Sequence, residues 1–286
     1  MGRFAPSPTG PLHAGSVVAA LASWLDARAH GGRWLLRLED LDHQRCRAEY
    51  SDLICAQLLG LGLVWDGPVS RQTERQDHYQ AALQQLTAAG HIYGCGCSRA
   101  SIAAKQPRLG ASGEAVYPGT CAASRPKDAA VRALRLRVGT QQIHFLDRAC
   151  GVQMQDLASQ CGDYVLQRAD GPFSYHLACV VDDAAAGISH VVRGEDLLPL
   201  TARQIHLQGL LGLSSPRYLH VPLLNNQAGE KLSKQTGAAS IDLQQPIPVL
   251  TAAALHLGLG RIHAPTVPTV LAAALSAWQQ RISSAA

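Results

Sequence analysis

No run of 18 or more apolar residues occurs in the 286-residue chain, so no membrane-spanning helix is expected. Basic residues are scarce ahead of the apolar stretch at 17–25, where only Arg3 precedes it. That stretch therefore reads as a helix inside a fold rather than a secretory leader. Charged residues make up only 16% and sum to +4, which permits a polyanionic partner without requiring one. Neither an internal repeat nor a low-complexity tract is present. The eight cysteines are too thinly spread for a disulfide-stapled secreted domain and read mostly as reduced thiols of a cytoplasmic protein. The close pair Cys95 and Cys97 is the exception. With 47% hydrophobic residues, the chain can build one large domain or two smaller ones.

What is present is densest between Arg3 and Ser16, RFAPSPTGPLHAGS. Arg3-Phe4-Ala5 reads as a strand end. Pro6, Pro8, Gly10 and Pro11 then impose a stiff turn, and an amphipathic helix follows from about His13. A strand that turns into a helix aims backbone N–H groups and the positive dipole end at one spot, which suits a nucleotide phosphate. His13 and Ser16 stand at the mouth of that helix. On architecture alone an ordinary strand-turn-helix corner fits equally well.

Further along, a strand at 33–38 ends in the acidic cluster Glu39, Asp40 and Asp42, which completes a βαβ unit. Helices follow at 48–59 and 75–89. From 91 to 163 glycine, serine, alanine and isolated cysteines dominate, and short strands at 133–138 and 142–146 read as an insertion. The sheet resumes with strands at 164–167, 191–196 and 218–223 and helices at 175–183 and 197–211. A polar loop at 229–235 and two tail helices, 248–258 and 266–281, close the chain. The division expected is 1–90 and 164–240 as two halves of one domain, 91–163 as the insertion and 241–286 as a helical tail.

The loop Lys231-Leu232-Ser233-Lys234-Gln235 would by itself be an ordinary solvated lysine pair. Together with the PxGxLHxGS turn it resembles the two signature motifs of class I aminoacyl-tRNA synthetases. Within that class the segments RFAPSPTG, Arg37-Leu38-Glu39-Asp40-Leu41-Asp42 and Val192-Arg193-Gly194-Glu195-Asp196-Leu197 resemble the glutamyl branch. The resemblance implies an α/β, Rossmann-like catalytic core with an inserted zinc-containing α+β subdomain and a short helical C-terminal tail. It assigns His13, Ser16 and Lys234 to catalysis. ATP, with magnesium, would lie on Pro8, Gly10, His13, Gly15, Ser16, Lys231, Ser233 and Lys234. L-Glutamate would lie on Arg3, Phe4, Ala5, Pro6, Ser7, Glu39, Tyr175 and Arg193. An arginine fork suits a carboxylate and a carboxylate suits the α-ammonium, although Arg193 could instead pair with Glu195 or Asp196, and Glu39 could cap a helix.

Two departures stand out: Ser16 replaces the usual second histidine, and Leu232 and Gln235 replace the usual methionine and serine. Only about fifty residues follow the lysine loop. This matches the short branch members, monomers that pass glutamate to the queuosine of tRNA(Asp) rather than to a tRNA 3′ end. A truncated enzyme charging the 3′ end and a non-catalytic glutamate- or tRNA-binding relative are the alternatives. In the insertion, Cys95, Cys97 and Cys121 offer three thiolates for a structural zinc ion. The resemblance supplies Tyr117 as the fourth ligand, with His91, Cys150 or water as alternatives.

Overall fold

The computed structural model describes residues 1–105, 107–110, 113–124, 130–168, 170–224 and 240–284. Strand β1 (Gly2–Phe4) passes through the proline-rich turn into helix α1 (Ala14–Ala29). His13 caps that helix, its backbone extended and its Nδ1 accepting the Ser16 N–H at 3.3 Å. One of the unpaired donors of the first turn is thereby satisfied. Strand β2 (Trp34–Leu38) pairs parallel with β1, Arg3 opposite Leu35. Helix α2 (Ala48–Gly60), strand β3 (Ser70–Arg71), a 3-10 turn (Gln72–Arg75) and helix α3 (Gln76–Ala88) follow, with β3 parallel to β2.

The next stretch holds β4 (Ile92–Cys95), the short helices α4 (Arg99–Ala103) and α5 (Thr120–Ala123), and β5 (Ala133–Leu136). It continues with β6 (Gln142–Asp147), β7 (Gly151–Asp156), α6 (Leu157–Gln160) and β8 (Tyr164–Arg168). Helix α7 (Tyr175–Ala185), β9 (His190–Gly194), a 3-10 turn (Glu195–Leu197), α8 (Leu198–Leu211) and β10 (Arg217–Val221) come next. Helices α9 (Pro246–His256) and α10 (Val267–Ser284) complete the described chain.

Strand pairing cuts across the division expected from the sequence. Strand β8, expected to reopen the catalytic core, lies in an antiparallel sheet of order β4-β5-β8. Strand β6, expected within the insertion, lies parallel to β10 in a sheet of order β7-β6-β10-β9. The burial patterns give the physical reason. In β8 only alternate residues, Tyr164 and Leu166, are buried, as in a sheet with one covered face. In β9 Val191, Val192 and Arg193 are buried in succession, as in a parallel strand covered on both faces. The N–H groups of Ser189 and His190 both donate to the Met1 carbonyl, at 3.0 and 3.1 Å, which joins the parallel sheet of β1, β2 and β3 to this mixed sheet where β9 begins beside β1.

Three apolar clusters result among the described residues, the smallest formed by Ile188, Val191 and Tyr218. One packs α1 and β2 against the tail through Leu21, Leu25, Trp34, Leu250, Ala274 and Trp278. Another packs α3, α7 and α8 against the antiparallel sheet through Tyr79, Leu83, Leu166, Leu177 and Leu207. Asp26 of α1, 1% exposed, ties distant parts together. Both its oxygens accept from Arg148, at 2.8 and 2.9 Å, and Oδ1 also accepts from Trp278 Nε1 at 3.2 Å. Among the described residues no helix is long and apolar enough to cross a membrane.

Candidate active site

Two adjoining cavities open at the carboxyl ends of β1 and β9, where ligands bind in parallel sheets. One, of about 470 Å³, is lined by Thr9, Leu12, His13, Gly15 and Ser16 on one side and Gly194, Asp196, Pro222 and Leu224 on the other. The second, of about 410 Å³, is lined by Arg3, Ser7, Glu39, Tyr175, Arg193 and Gly194. Phe4, Ser7, Ala19 and Gly194 line both, so a molecule in one lies against a molecule in the other. Gly194 stands at this partition, where a Cβ would come within 2.6 Å of Asp196 Oδ1 and oblige that side chain to shift.

The expected residues divide between the cavities with some exchanges. Pro6, expected beside glutamate, lines the larger cavity instead. Pro8 and Gly10, expected beside ATP, are buried in the turn and line neither. Pro8 acts on the turn itself, its carbonyl accepting the Arg47 N–H at 3.0 Å, as that of Pro6 accepts the Glu39 N–H at 3.0 Å. These bonds lash the turn to the segment after β2, because a turn rich in proline lacks N–H groups and must use its carbonyls. Lys231, Ser233 and Lys234 lie outside the described residues. The chain reaches that segment from Leu224, in the larger cavity, and leaves it at Ser240, which bridges His13 in antiparallel fashion.

A buried charge network underlies the smaller cavity. Asp183 of α7 accepts from Arg3 Nε at 3.1 Å and from Arg37 Nη1 at 2.6 Å, and Arg37 Nη2 reaches Glu39 Oε1 at 3.1 Å. Among the described residues nothing bonds the two terminal nitrogens of Arg3, which leaves a fork for a carboxylate. Burial would raise the Asp183 carboxyl, but Arg3 and Arg37 outweigh it and hold it at about 2. Glu39 moves the other way. Burial raises its carboxyl, and Arg37 and Arg3 only partly offset that. A cation placed beside Glu39 would restore the ionised form.

The Arg193 guanidinium bonds partners other than Glu195 or Asp196 and keeps one Nη1 hydrogen uncommitted among the described residues. Its Nε donates to His220 Nε2 at 3.0 Å, Nη1 to the Tyr175 hydroxyl at 3.2 Å and Nη2 to Thr201 Oγ1 at 2.8 Å. His220 Nδ1 in turn lies 2.6 Å from Asp147 Oδ2. Burial holds His220 below its ordinary range despite Asp147, so the ring is neutral, donating from Nδ1 and accepting at Nε2. Asp147 closes β6, so the strand recovered from the supposed insertion is what aims Arg193. Arg37, Asp183, Asp147, His220 and Thr201 were missed in the sequence. Arg37 could have been found, since it stands two residues before Glu39 on a strand and shares its face. The rest are distant in the chain and carry no motif.

The insertion gathers a second cluster. The sulfurs of Cys95, Cys97 and Cys121 all lie within 4.8 Å of one another. Cys97 and Cys121 are 3.6 Å apart, and the Tyr117 hydroxyl is 3.3 Å from Cys95 and 3.6 Å from Cys97. Gly119 makes this possible by adopting φ 71° before α5, which brings the Cys121 N–H to 3.0 Å from the Tyr117 oxygen. The edge of a tetrahedron with metal–sulfur bonds of about 2.3 Å is roughly 3.7 Å, so these separations suit a zinc ion. Neither His91 nor Cys150 belongs to the cluster.

Residues 1–247 match the family model "tRNA synthetases class I (E and Q), catalytic domain". The chain belongs to this class of synthetases. More particularly, it is 51% identical over 285 residues to "Glutamyl-Q tRNA(Asp) synthetase" of Verminephrobacter eiseniae, covering 98% of this chain and 97% of that one. The relative of the same name from Burkholderia mallei is 53% identical over 289 residues, covering 98% and 96%. Among solved structures, a glutamate tRNA ligase from Elizabethkingia meningosepticum in complex with its amino acid superposes with a TM-score of 0.77 at 26% identity. That alignment covers 94% of this chain and 63% of the other.

Proposed function

We propose that the protein is an ATP-dependent ligase that activates L-glutamate to glutamyl-adenylate without tRNA and transfers it to the queuosine nucleoside of tRNA(Asp). The observation that carries this reading is the pair of cavities sharing Phe4, Ser7, Ala19 and Gly194. One cavity offers a helix N-terminus with His13 and Ser16 for phosphates, the other an arginine-rich pocket for an amino acid. The choice of tRNA(Asp) and queuosine rests on the near full-length relatives that carry that name.

In this mechanism Arg3 and Arg193 hold the side-chain carboxylate, and Glu39 holds the α-ammonium. Tyr175, hydrogen-bonded to Arg193, and Ser7 complete the pocket. An oxygen of the α-carboxylate attacks the α-phosphorus of ATP, the bond to the bridging oxygen breaks, and pyrophosphate leaves with the electron pair. The first-turn N–H groups of α1 with His13, Ser16 and the Lys231–Lys234 segment stabilise the charge that grows on phosphate oxygens. Magnesium bound with ATP supplies further neutralisation. Cys95, Cys97, Cys121 and Tyr117 would hold a zinc ion that braces the insertion and takes no part in the chemistry.

Glutamate-dependent exchange of pyrophosphate into ATP without tRNA tests the first step; its absence would overturn tRNA-independent activation. Transfer of labelled glutamate to tRNA(Asp) with and without queuosine tests the second. Equal charging of queuosine-free tRNA would instead favour an enzyme acting at the 3′ end.

A further inference from the structure

A separate cavity of about 470 Å³ lies between the insertion and helices α7 and α8. It shares no lining residue with the two pockets described above. The insertion lines it with Arg99, Glu114, Tyr117 and Arg135, and the helices line it with His176 and Arg203. We propose that this cavity binds a small organic oxyanion, a carboxylate or phosphate carried on a flat or aliphatic body. The inference goes beyond the reaction proposed above and does not depend on it.

Three observations carry it. First, Arg135 is a buried cation without a counter-charge. It is 9% exposed and pairs with no carboxylate among the described residues. Its Nη1 donates to the Asp163 carbonyl at 2.7 Å, its guanidinium lies 3.8 Å from the centre of the Tyr117 ring, and its Nε has no partner there. A buried charge left unbalanced is costly, so an anion in the cavity supplies what is missing. Second, the unmet groups are donors. Arginine can only donate, so the 3.4 Å contact with Arg203 Nη1 makes His176 Nε2 an acceptor and leaves the ring hydrogen on Nδ1. His176 is 9% exposed, and its Nδ1, like Arg135 Nε, finds no acceptor among the described residues. Orphaned donors call for a ligand rich in acceptors. Third, three arginines line the cavity against two carboxylates, and one of these is committed elsewhere. Asp163 accepts from the Tyr93 hydroxyl at 2.7 Å and the Val138 N–H at 3.0 Å. Glu114 Oε2 accepts from Arg203 Nη1 at 2.6 Å, which shows that an oxyanion fits against that guanidinium. The Glu114 side chain is 57% exposed, so it can swing into solvent as a ligand enters. Ile102, Ala103 and Val165 give an apolar wall for the ligand body, and the volume is in the range of about 300–1,000 Å³ that suits small molecules.

The probe is phenyl phosphate, titrated by calorimetry at constant ionic strength into the full-length protein. Saturating glutamate and a non-hydrolysable ATP analogue keep it out of the other two pockets. Saturable binding is expected, with a matching rise in the thermal midpoint. Arg135→Gln should weaken it at least tenfold. Ala103→Trp, which brings a bulky ring into the cavity from an exposed position on α4, should do the same without touching a buried charge. Glu114→Gln, which removes the competing carboxylate from Arg203, should tighten binding several-fold. Absence of saturable binding to the wild type would overturn the proposal, as would an affinity unchanged in both weakening variants. Displacement of the probe by tRNA(Asp) would also overturn it, because the occupant would then be a backbone phosphate rather than a free small molecule.

Discussion

Asp183 shows how much of this site depends on one carboxylate that touches no proposed substrate. It is the shared partner of two buried arginines, so Asp183→Asn should leave both underpaired and cost about 3–5 kcal/mol in denaturant unfolding. Its pH dependence has a definite sign. The folded carboxyl sits at about 2 against an ordinary 3.8, so the stabilisation is fully present above that ordinary value and is lost as pH falls toward 2. The window is roughly pH 4 to 2 and the amount about 2 kcal/mol, to be read from unfolding at stepped pH with wild type and Asp183→Asn compared. Glu39 has the opposite shift. Its raised carboxyl means that glutamate binding should weaken on acidification earlier than an ordinary carboxylate would allow, seen as a rising KM in pyrophosphate exchange. His220 is a positioning residue. His220→Ala should raise the KM for glutamate several-fold with a smaller effect on kcat, and His220→Asn, which keeps an acceptor toward Arg193, should recover part of the loss.

At the scale of elements, the proposed zinc site makes the insertion depend on its cysteines. The antiparallel sheet contributes Tyr164 and Leu166 to the second core, but α4 and α5 bury no residue, and among the described residues none of 95–121 joins an apolar cluster. Cys97→Ser is expected to lower both the zinc content of protein purified without added metal and the thermal midpoint of unfolding. A wild type that contains no metal and matches the variant in stability would contradict the assignment. Tyr117→Phe separates the phenol from the thiolates. It should reduce metal affinity while keeping the ring on which the Arg135 guanidinium lies at 3.8 Å. The hairpin of β6 and β7 is the element least visible beforehand. Val152-Gln153-Met154-Gln155 alternates in a way that reads as a strand, yet nothing local says that β6 will pair with β10, some seventy residues away.

For the molecule as a whole, the tail packs as part of the first core. Trp278 is 1% exposed and donates to Asp26, so Trp278→Ala should cost about 3–5 kcal/mol and loosen α1, whose first turn opens onto the cavity proposed for the nucleotide. The check is a denaturant midpoint alongside the KM for ATP, and an unchanged midpoint would show that the tail is dispensable to the fold.

Much of the catalytic architecture was legible in the chain because its determinants are local. Prolines and glycines set the turn after β1, His13 caps α1, and a two-residue period puts Arg37 and Glu39 on one face. Arg3, Ser7, Glu39, Tyr175 and Arg193 accordingly line one cavity. What only the tertiary structure decided are the pairings between residues far apart in sequence. Asp183 meets Arg3 across 180 residues and His220 meets Asp147 across 73. Such contacts form where burial makes an unpaired charge too costly, and burial is a property of the assembled sheets, which no local pattern encodes.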